Sequence, residues 1–541
     1  MIETADYVII GAGTAGCVVA SRLSQDPWSE VALLEAGGSD LSVWIQVPIG
    51  YGRTFFDRRI NWMFETEPVP GLGGRSSYWP RGKVVGGSGS INAMVHVRGF
   101  PHDFDAWRDA GNPGWGWDDV LPHFIASEDH DLGRSEWHGT GGPQHVTDIS
   151  AHVHPLCHRF LATGATLGYR ETRDFNGADG EGFGIYNINT RGGWRASTAN
   201  AYYWPVRHRR NLTLIRQARV MRVVFEGRRA VGVAYLHRGR ERVIRARREV
   251  VLCAGAIGSP HLLQLSGIGD AAVLAQHGIA VVADLPAVGR NLQDHLAVSY
   301  FYRTSVPTLN SVLGPMTGKL AAGLRYLFDR GGPLSMSVNQ AGGFVRASPD
   351  DRHPAFQLYF SPVSYTRTPL AARRLLNPDP FPAFLLSFNA CHPTSRGHLT
   401  ITSPDPFAAP AIHPNYLSTD HDVAQARIGT RLLRQIAGAA PLSEVIVEEL
   451  VPGAHVADDD ALLADFRARA DTVYHPTSTC RMGPDPATSV VDSHLRVHGI
   501  SGLRVIDASI FPTITSGNTN APTVMVAEKG AALLVQDRGR A

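Results

Sequence analysis

Short apolar runs alternate with glycine- and proline-rich turns along the whole chain. DYVII (Asp6 to Ile10) reads as a strand, TAGCVVASRLSQD as a helix and EVALLEAG (Glu30 to Gly37) as a second strand, so residues 6–38 form one βαβ unit. Residues 101–150, rich in Trp, Asp and Gly, read as short helices joined by turns. From 211 to 258 the period changes to alternation: NLTLI, VMRVVFEG, RAVGVAYLHR and ERVIRARREVVLCAG predict a β-meander that ends in a buried strand. Residues 301–400 are dense in aromatics and Pro-rich turns, which predicts a separate domain whose aromatics form core and, in part, a substrate channel. The acidic run Asp458 to Asp460 marks the start of a helix over ALLADFRARA.

Length and charge narrow the class. The chain has 541 residues, too many for one core. Its net charge of +2 excludes a polybasic nucleic-acid binder, and 43% hydrophobic residues exclude bulk disorder. Five separated cysteines without a CxxC pair argue against a disulfide scaffold and for a reducing compartment. No basic leader and no run of 18 apolar residues occurs. The expectation is a cytoplasmic protein, with peripheral membrane association open. AHVHPLCHR (151–159) fits no common zinc spacing and reads as a solvated loop, so no metal site is expected.

Gly11, Gly13 and Gly16 form GxGxxG between the first strand and the first helix. The first glycine permits the tight turn, the second lets a pyrophosphate approach the backbone, and the third lets helix and strand pack closely. Free N–H groups at the helix start attract phosphate. Glu35, nineteen residues after Gly16, ends the second strand where a carboxylate can accept from ribose hydroxyls. That predicts FAD or NAD rather than NADP. No GxSxG and no Walker A motif is present, which removes serine-elbow hydrolases and P-loop ATPases.

Four further blocks stand in order: PRGKVVGGSGSINAMVHVRG (Pro80 to Gly99), GAIGSPHLLQLSGIG (Gly255 to Gly269), TVYHPTSTCRMG (Thr472 to Gly483) and LRVIDASIFPTITSGNTNAPTVMVAEKG (Leu503 to Gly530). Together with GxGxxG they resemble the glucose–methanol–choline (GMC) family of flavin-dependent alcohol oxidoreductases over nearly the whole chain. By position, the resemblance implies that Gly11, Gly13, Thr14, Ala15, Gly16, Glu35 and Ala36 hold the ADP side of FAD. It places Trp62 near the FAD, and Val85, Ser90, Asn92, Ala93, Met94 and Val95 along the pyrophosphate and flavin ring. Val220 would touch adenine, Asp507 and Ala508 the pyrophosphate, and Thr519 and Tyr474 the flavin. His475 matches the catalytic histidine and Asn520 its partner. Ile91 occupies the place of the histidine that links FAD covalently in some relatives, so the resemblance implies non-covalent FAD. Gln340, in SVNQAGGF, replaces the glutamate of choline-type members and is, with Tyr474, the expected substrate contact.

The expected fold is α/β: a Rossmann-like FAD-binding domain, discontinuous and containing both termini, plus an α+β substrate domain with an antiparallel sheet. The expected pieces are 1–150, 201–300 and 475–541 for the FAD-binding domain, and an excursion at 151–200 with 301–474 for the substrate domain. The expected reaction is oxidation of a neutral primary alcohol, whether aliphatic, aromatic or a polyether such as polyethylene glycol, to its aldehyde. His475 is the base and a quinone or carrier protein the acceptor, in the manner of the family's bacterial alcohol and polyethylene-glycol dehydrogenase branch. An O₂-using oxidase is the alternative; an FAD-containing hydroxynitrile lyase, a fatty acid photodecarboxylase and a non-catalytic FAD-binding protein are rivals.

Overall fold

The computed structural model describes residues 2–366 and 377–538. Its two main sheets use, in chain order, β1 (Thr4–Ile10), β2 (Val31–Glu35), β3 (Gly182–Ile185), β4 (Leu212–Arg216), β5 (Ala218–Glu226), β6 (Arg229–His237), β7 (Arg240–Leu252), β8 (Leu296–Thr304), β9 (Ala341–Val345), β10 (Phe356–Ser361), β11 (Ala383–Ala390), β12 (Ile446–Val451), β13 (Asp471–Thr472) and β14 (Leu503–Val505). The helices that matter here are α1 (Thr14–Leu23), α2 (Pro101–Asp109), α3 (Gly255–Leu265), α4 (Met316–Asp329) and α5 (Asn520–Arg538).

The first sheet runs β4-β2-β1-β7-β6-β5, with β14 beside the end of β7. The β4, β2, β1, β7 and β14 pairings are parallel, and β5 to β7 form the antiparallel meander. β1 and β2 are buried almost throughout: α1 packs on both, and α5 packs in turn on α1, in keeping with their continuous apolar sequence. The second sheet runs β12-β8-β11-β10-β9-β3, with β13 on β8, and is antiparallel. Apart from β3, its strands start with β8 at Leu296, inside the span 201–300 assigned by sequence to the other domain. Its aromatics fill a second core built from Phe160, Phe183, Phe356, Phe360, Phe384 and Phe388 among others.

Two local readings need correction or completion. AHVHPLCHR is not a loop: it opens the helix Pro155–Thr166, with Pro155 in the first turn, His154 Nδ1 accepting from Leu156 N at 3.2 Å, and Cys157 buried. Asp458 caps the helix Asp459–Arg469 by accepting from Ala461 N at 2.8 Å. All five cysteines are free and buried. Among the described residues, no helix is long and apolar enough to cross a membrane.

Candidate active site

A cavity of about 870 Å³ lies along the seam between the two sheets. That is near the top of the ~300–1,000 Å³ range for small-molecule sites, large enough for an elongated ligand. One end is lined by Gly11, Gly13, Glu35, Val220 and Trp62, the other by Val338, Tyr359, Leu385 and His475.

The first end is a backbone cradle. Gly11 has φ +94°, and a Cβ there would stand 2.7 Å from the Cys253 carbonyl oxygen. A Cβ on Gly16 would stand 1.9 Å from the Gly11 carbonyl oxygen, so only glycine lets α1 seat on β1. Gly87, φ +54°, crosses Gly13 so closely that a Cβ would lie 2.7 Å from Gly13 Cα. The Gly-rich segment after Pro80 therefore runs over the turn before α1. Glu35 accepts from Ala12 N at 2.9 Å and Gly37 N at 2.7 Å. Burial pushes its carboxyl up to about 7, against those hydrogen bonds and nearby Lys83. A buried carboxylate facing a cavity is satisfied by hydroxyl donors such as those of a ribose. On the opposite wall Asp507 accepts from Gly255 N at 2.8 Å and Ser259 Oγ at 2.6 Å, fixing the start of α3. Trp62 stacks near Phe64, with Arg219 and Lys83 over its ring. The open glycine backbone, the helix start and the buried acid fit the adenosine and pyrophosphate of FAD.

At the other end His475 follows Tyr474, a non-glycine residue at φ +71°. Two contacts hold this strained backbone. Arg81 Nη2 donates to Tyr474 O at 2.7 Å, and Asp294 Oδ1 accepts from His475 N at 2.7 Å. Asp294 also accepts from Thr472 Oγ1 at 2.6 Å and from the Tyr416 hydroxyl.

The imidazole partners fix its tautomer. His295 Nε2 lies 2.9 Å from the Cys391 carbonyl oxygen, which can only accept, so Nε2 carries the proton. Neutral His295 then offers a lone pair at Nδ1, 3.0 Å from His475 Nδ1. His475 donates there and keeps Nε2 unprotonated. That Nε2 accepts from Asn518 Nδ2 at 3.1 Å. Burial, with His295 and Arg81 nearby, pushes the His475 imidazole well below the ordinary histidine range. Burial also lowers His295, to about 4. The pair is neutral at neutral pH, with one basic nitrogen beside the cavity. Asn518 is tethered through Ser516, whose N and Oγ donate to Asp103 at 2.9 and 3.0 Å. Asp103 in turn accepts from Phe100 N and from His392 Nε2, both at 2.8 Å.

Of the residues singled out by sequence, Gly11, Gly13, Thr14, Ala15, Glu35, Ala36, Trp62, Asn92, Ala93, Met94, Val95, Val220, Tyr474, His475, Asp507, Ala508, Thr519 and Asn520 line the cavity, as does Ile91. Gly16 acts through packing. Val85 and Ser90 do not line it; they close a turn behind the wall, Ser90 Oγ donating to Val85 O at 2.8 Å. Two assignments are corrected. Asn520 is not the partner of His475: it starts α5, and its Oδ1 accepts from Thr14 Oγ1 at 3.1 Å, while Asn518 meets the imidazole. Gln340 does not face the cavity either: it is buried, with Oε1 accepting from His154 N at 2.8 Å, and its neighbours Val338 and Asn339 form the wall. Sequence reasoning missed His295, Asp294 and Arg81. The adjoining Asp294–His295 pair just before an apolar strand was the available signal.

Models of GMC oxidoreductases match residues 5–297 and 393–527. The chain is 41% identical over 537 residues to an alcohol dehydrogenase [acceptor] of Pseudomonas putida, covering 98% of this chain and 96% of that protein. It is 43% identical over 541 residues to mitochondrial choline dehydrogenase of Mus musculus, covering 98% and 89%. Among solved structures it resembles pyridoxine 4-oxidase from Mesorbium loti, with TM-score 0.89, 33% identity, and coverage of 98% and 99%. It also resembles a formate oxidase, with TM-score 0.92, 26% identity, and coverage of 100% and 99%. With a dinucleotide cradle, a two-sheet seam and a histidine beside the cavity, the chain belongs to the GMC oxidoreductase family.

Proposed function

We propose that the protein oxidises neutral primary alcohols to aldehydes with non-covalently held FAD, and passes the electrons to a quinone or a carrier protein. The observation that carries this reading is the unprotonated Nε2 of His475 at the substrate end. When bound, FAD supplies the hydride acceptor. His475 Nε2 takes the hydroxyl proton as the C–H bond gives up its hydride, and neutral His295 holds the opposite Nδ1–H so that Nε2 stays the basic atom. Asn518 Nδ2, 3.1 Å from His475 Nε2, can donate to the alkoxide that develops there. Tyr359, Tyr365, Val338 and Leu385 give the alcohol a largely apolar wall.

Neutral substrates are favoured by the composition of that wall. Its described residues near His475 include Ser299, Asn339, Ser387 and Tyr474, but no acid; the cavity's acidic residues are Glu35, Glu65, Glu67 and Asp507. A cation without a paired charge would lose hydration that nothing repays. The similarity to an alcohol dehydrogenase [acceptor] supports the acceptor assignment. The similarity to choline dehydrogenases supports a second reading, a cationic amino alcohol. Anaerobic addition of butanol, benzyl alcohol, a short glycol and choline to the flavin-loaded protein separates the two. Bleaching of the flavin by the neutral alcohols at higher kcat/KM than by choline is expected; the reverse order overturns the neutral-substrate reading, and no bleaching by any alcohol overturns the oxidation itself. Admitting air to the bleached enzyme then tests O₂ against the proposed acceptors.

A further inference from the structure

Helix α4 is built inside out. Over its 14 residues Ala322 and Tyr326 face the protein, while Met316, Leu320, Leu324, Leu327 and Phe328 face outward. The outward side chains range from 61% exposed at Leu320 to 95% at Phe328. A helix on a globular surface normally turns its apolar stripe to the core. Here an apolar stripe of about 20 Å is presented to the surroundings, and a contiguous apolar face marks a site of contact with something else.

The charges around the stripe say what that is. At ~100° per residue, Lys319 and Arg325 flank it on its two sides, while Asp329 lies toward the far side, 3.6 Å from Arg325. The surface continues past the helix. Tyr326 packs edge-on against the part-exposed Trp194 and donates to Gly193 O at 2.8 Å, and Arg330 lies over the Trp194 ring at 4.4 Å. Arg195, the next residue, donates to Ile45 O at 2.8 Å, which joins on a turn that exposes Leu41, Val43 and Trp44. Arg53 lies over Trp44 at 4.3 Å. An apolar stripe, cationic flanks that can reach back to headgroups and tryptophans at the border are the features of a helix lying in a bilayer interface.

We propose that α4, with the Trp194 and Trp44 turns beside it, docks the protein on the surface of an anionic lipid bilayer. The helix lies in the interface plane, its leucines and Phe328 enter the acyl boundary, and Lys319, Arg325 and Arg330 meet anionic headgroups. A second copy of this chain is a poorer occupant, because a twofold contact would set the cationic flanks of one copy against those of the other. The position suits the cavity. Arg325 packs against Gly332, and the chain from there leads to Val338 and Asn339 in the cavity wall. The docking itself stands on the surface alone and not on the proposed alcohol chemistry.

Vesicle flotation of the flavin-loaded protein tests it, with pure phosphatidylcholine vesicles and with vesicles that also contain phosphatidylglycerol. The wild type is expected to float with the anionic vesicles and to be released by salt. The double variant Leu324→Ser/Phe328→Ser changes only exposed side chains. It should bind at least about tenfold more weakly with unchanged flavin spectrum and melting temperature, and Lys319→Gln/Arg325→Gln should lose the preference for phosphatidylglycerol. The proposal is overturned if the wild type stays at the bottom of the gradient with both vesicles, or if the double variant floats equally well. It is also overturned if sedimentation velocity shows a wild-type dimer that the double variant abolishes while neither protein floats. None of these outcomes depends on substrate turnover, so failure here and failure of the alcohol reading are told apart.

Discussion

The two asparagines of GNTN divide the work between them. Asn518 donates to His475 Nε2, whereas Asn520 ties the start of α5 to Thr14. Asn518→Ala should therefore slow flavin reduction by about 10²–10³-fold, the usual loss of one oxyanion donor. Asn520→Ala should lower stability by about 0.5–1.5 kcal/mol and leave the reduction rate within a few-fold. Rapid mixing and thermal melting of both variants check the order. His295→Ala leaves the His475 Nδ1–H without its acceptor and frees the imidazole to move its proton to Nε2. An unpaired buried donor is worth ~1–3 kcal/mol, which as barrier is about 5- to 160-fold in rate; reduction at the wild-type rate would remove His295 from the account. His475 was legible because the block TVYHPTSTCRMG resembles the family's histidine block closely enough to fix its position. Its partner was not, because two asparagines two positions apart differ only in where the helix begins. Gln340 misled for a related reason: one residue along an extended segment reverses the side-chain direction, and Asn339 and Gln340, just before β9, face different ways.

At the scale of elements, the βαβ unit and the meander could be read directly, because glycine spacing and period-2 alternation each report one backbone geometry. β9, β10 and β11 could not. β10 is buried on both faces: the helix Pro155–Thr166 packs on it and β9, and the helix Asp420–Gly438 packs on β11, so no polar face interrupts the apolar run. The crossing of Gly87 over Gly13 gives a sharp prediction. Gly87→Ala places a Cβ 2.7 Å from Gly13 Cα at φ +54°. The left-handed backbone alone costs about 1–2 kcal/mol in an alanine, and the clash is against backbone that cannot turn aside. The variant should keep its circular dichroism but lose flavin on gel filtration. Full flavin retention would show that this crossing does not shape the cofactor site.

At the scale of the molecule, the chain visits the first sheet three times, and the reaction centre lies where it returns for the last. β13 still pairs in the second sheet, His475 follows three residues after its end, and β14 is back in the first. The cavity therefore joins a cradle set by glycines to a wall set by the second sheet, which is why the cradle could be placed from sequence and the wall could not. Ile91 lines this cavity with no nucleophilic atom to bond a flavin. Acid or heat precipitation should release all the yellow colour to the supernatant; colour kept by the pellet would contradict non-covalent binding. The central claim is that neutral His475, held by His295, is the base for alcohol oxidation. The most direct measurement is anaerobic stopped-flow reduction of the flavin by a good primary alcohol, followed against pH for wild type and His475→Ala. Because burial, His295 and Arg81 hold the imidazole low, the wild-type rate should stay on its plateau at pH ~6.5 and fall only at lower pH, as Nε2 takes a proton. His475→Ala should keep its flavin, lose about 10²–10⁴ in rate and lose that limb. Reduction of the variant at near the wild-type rate, with the same limb, would place the base elsewhere.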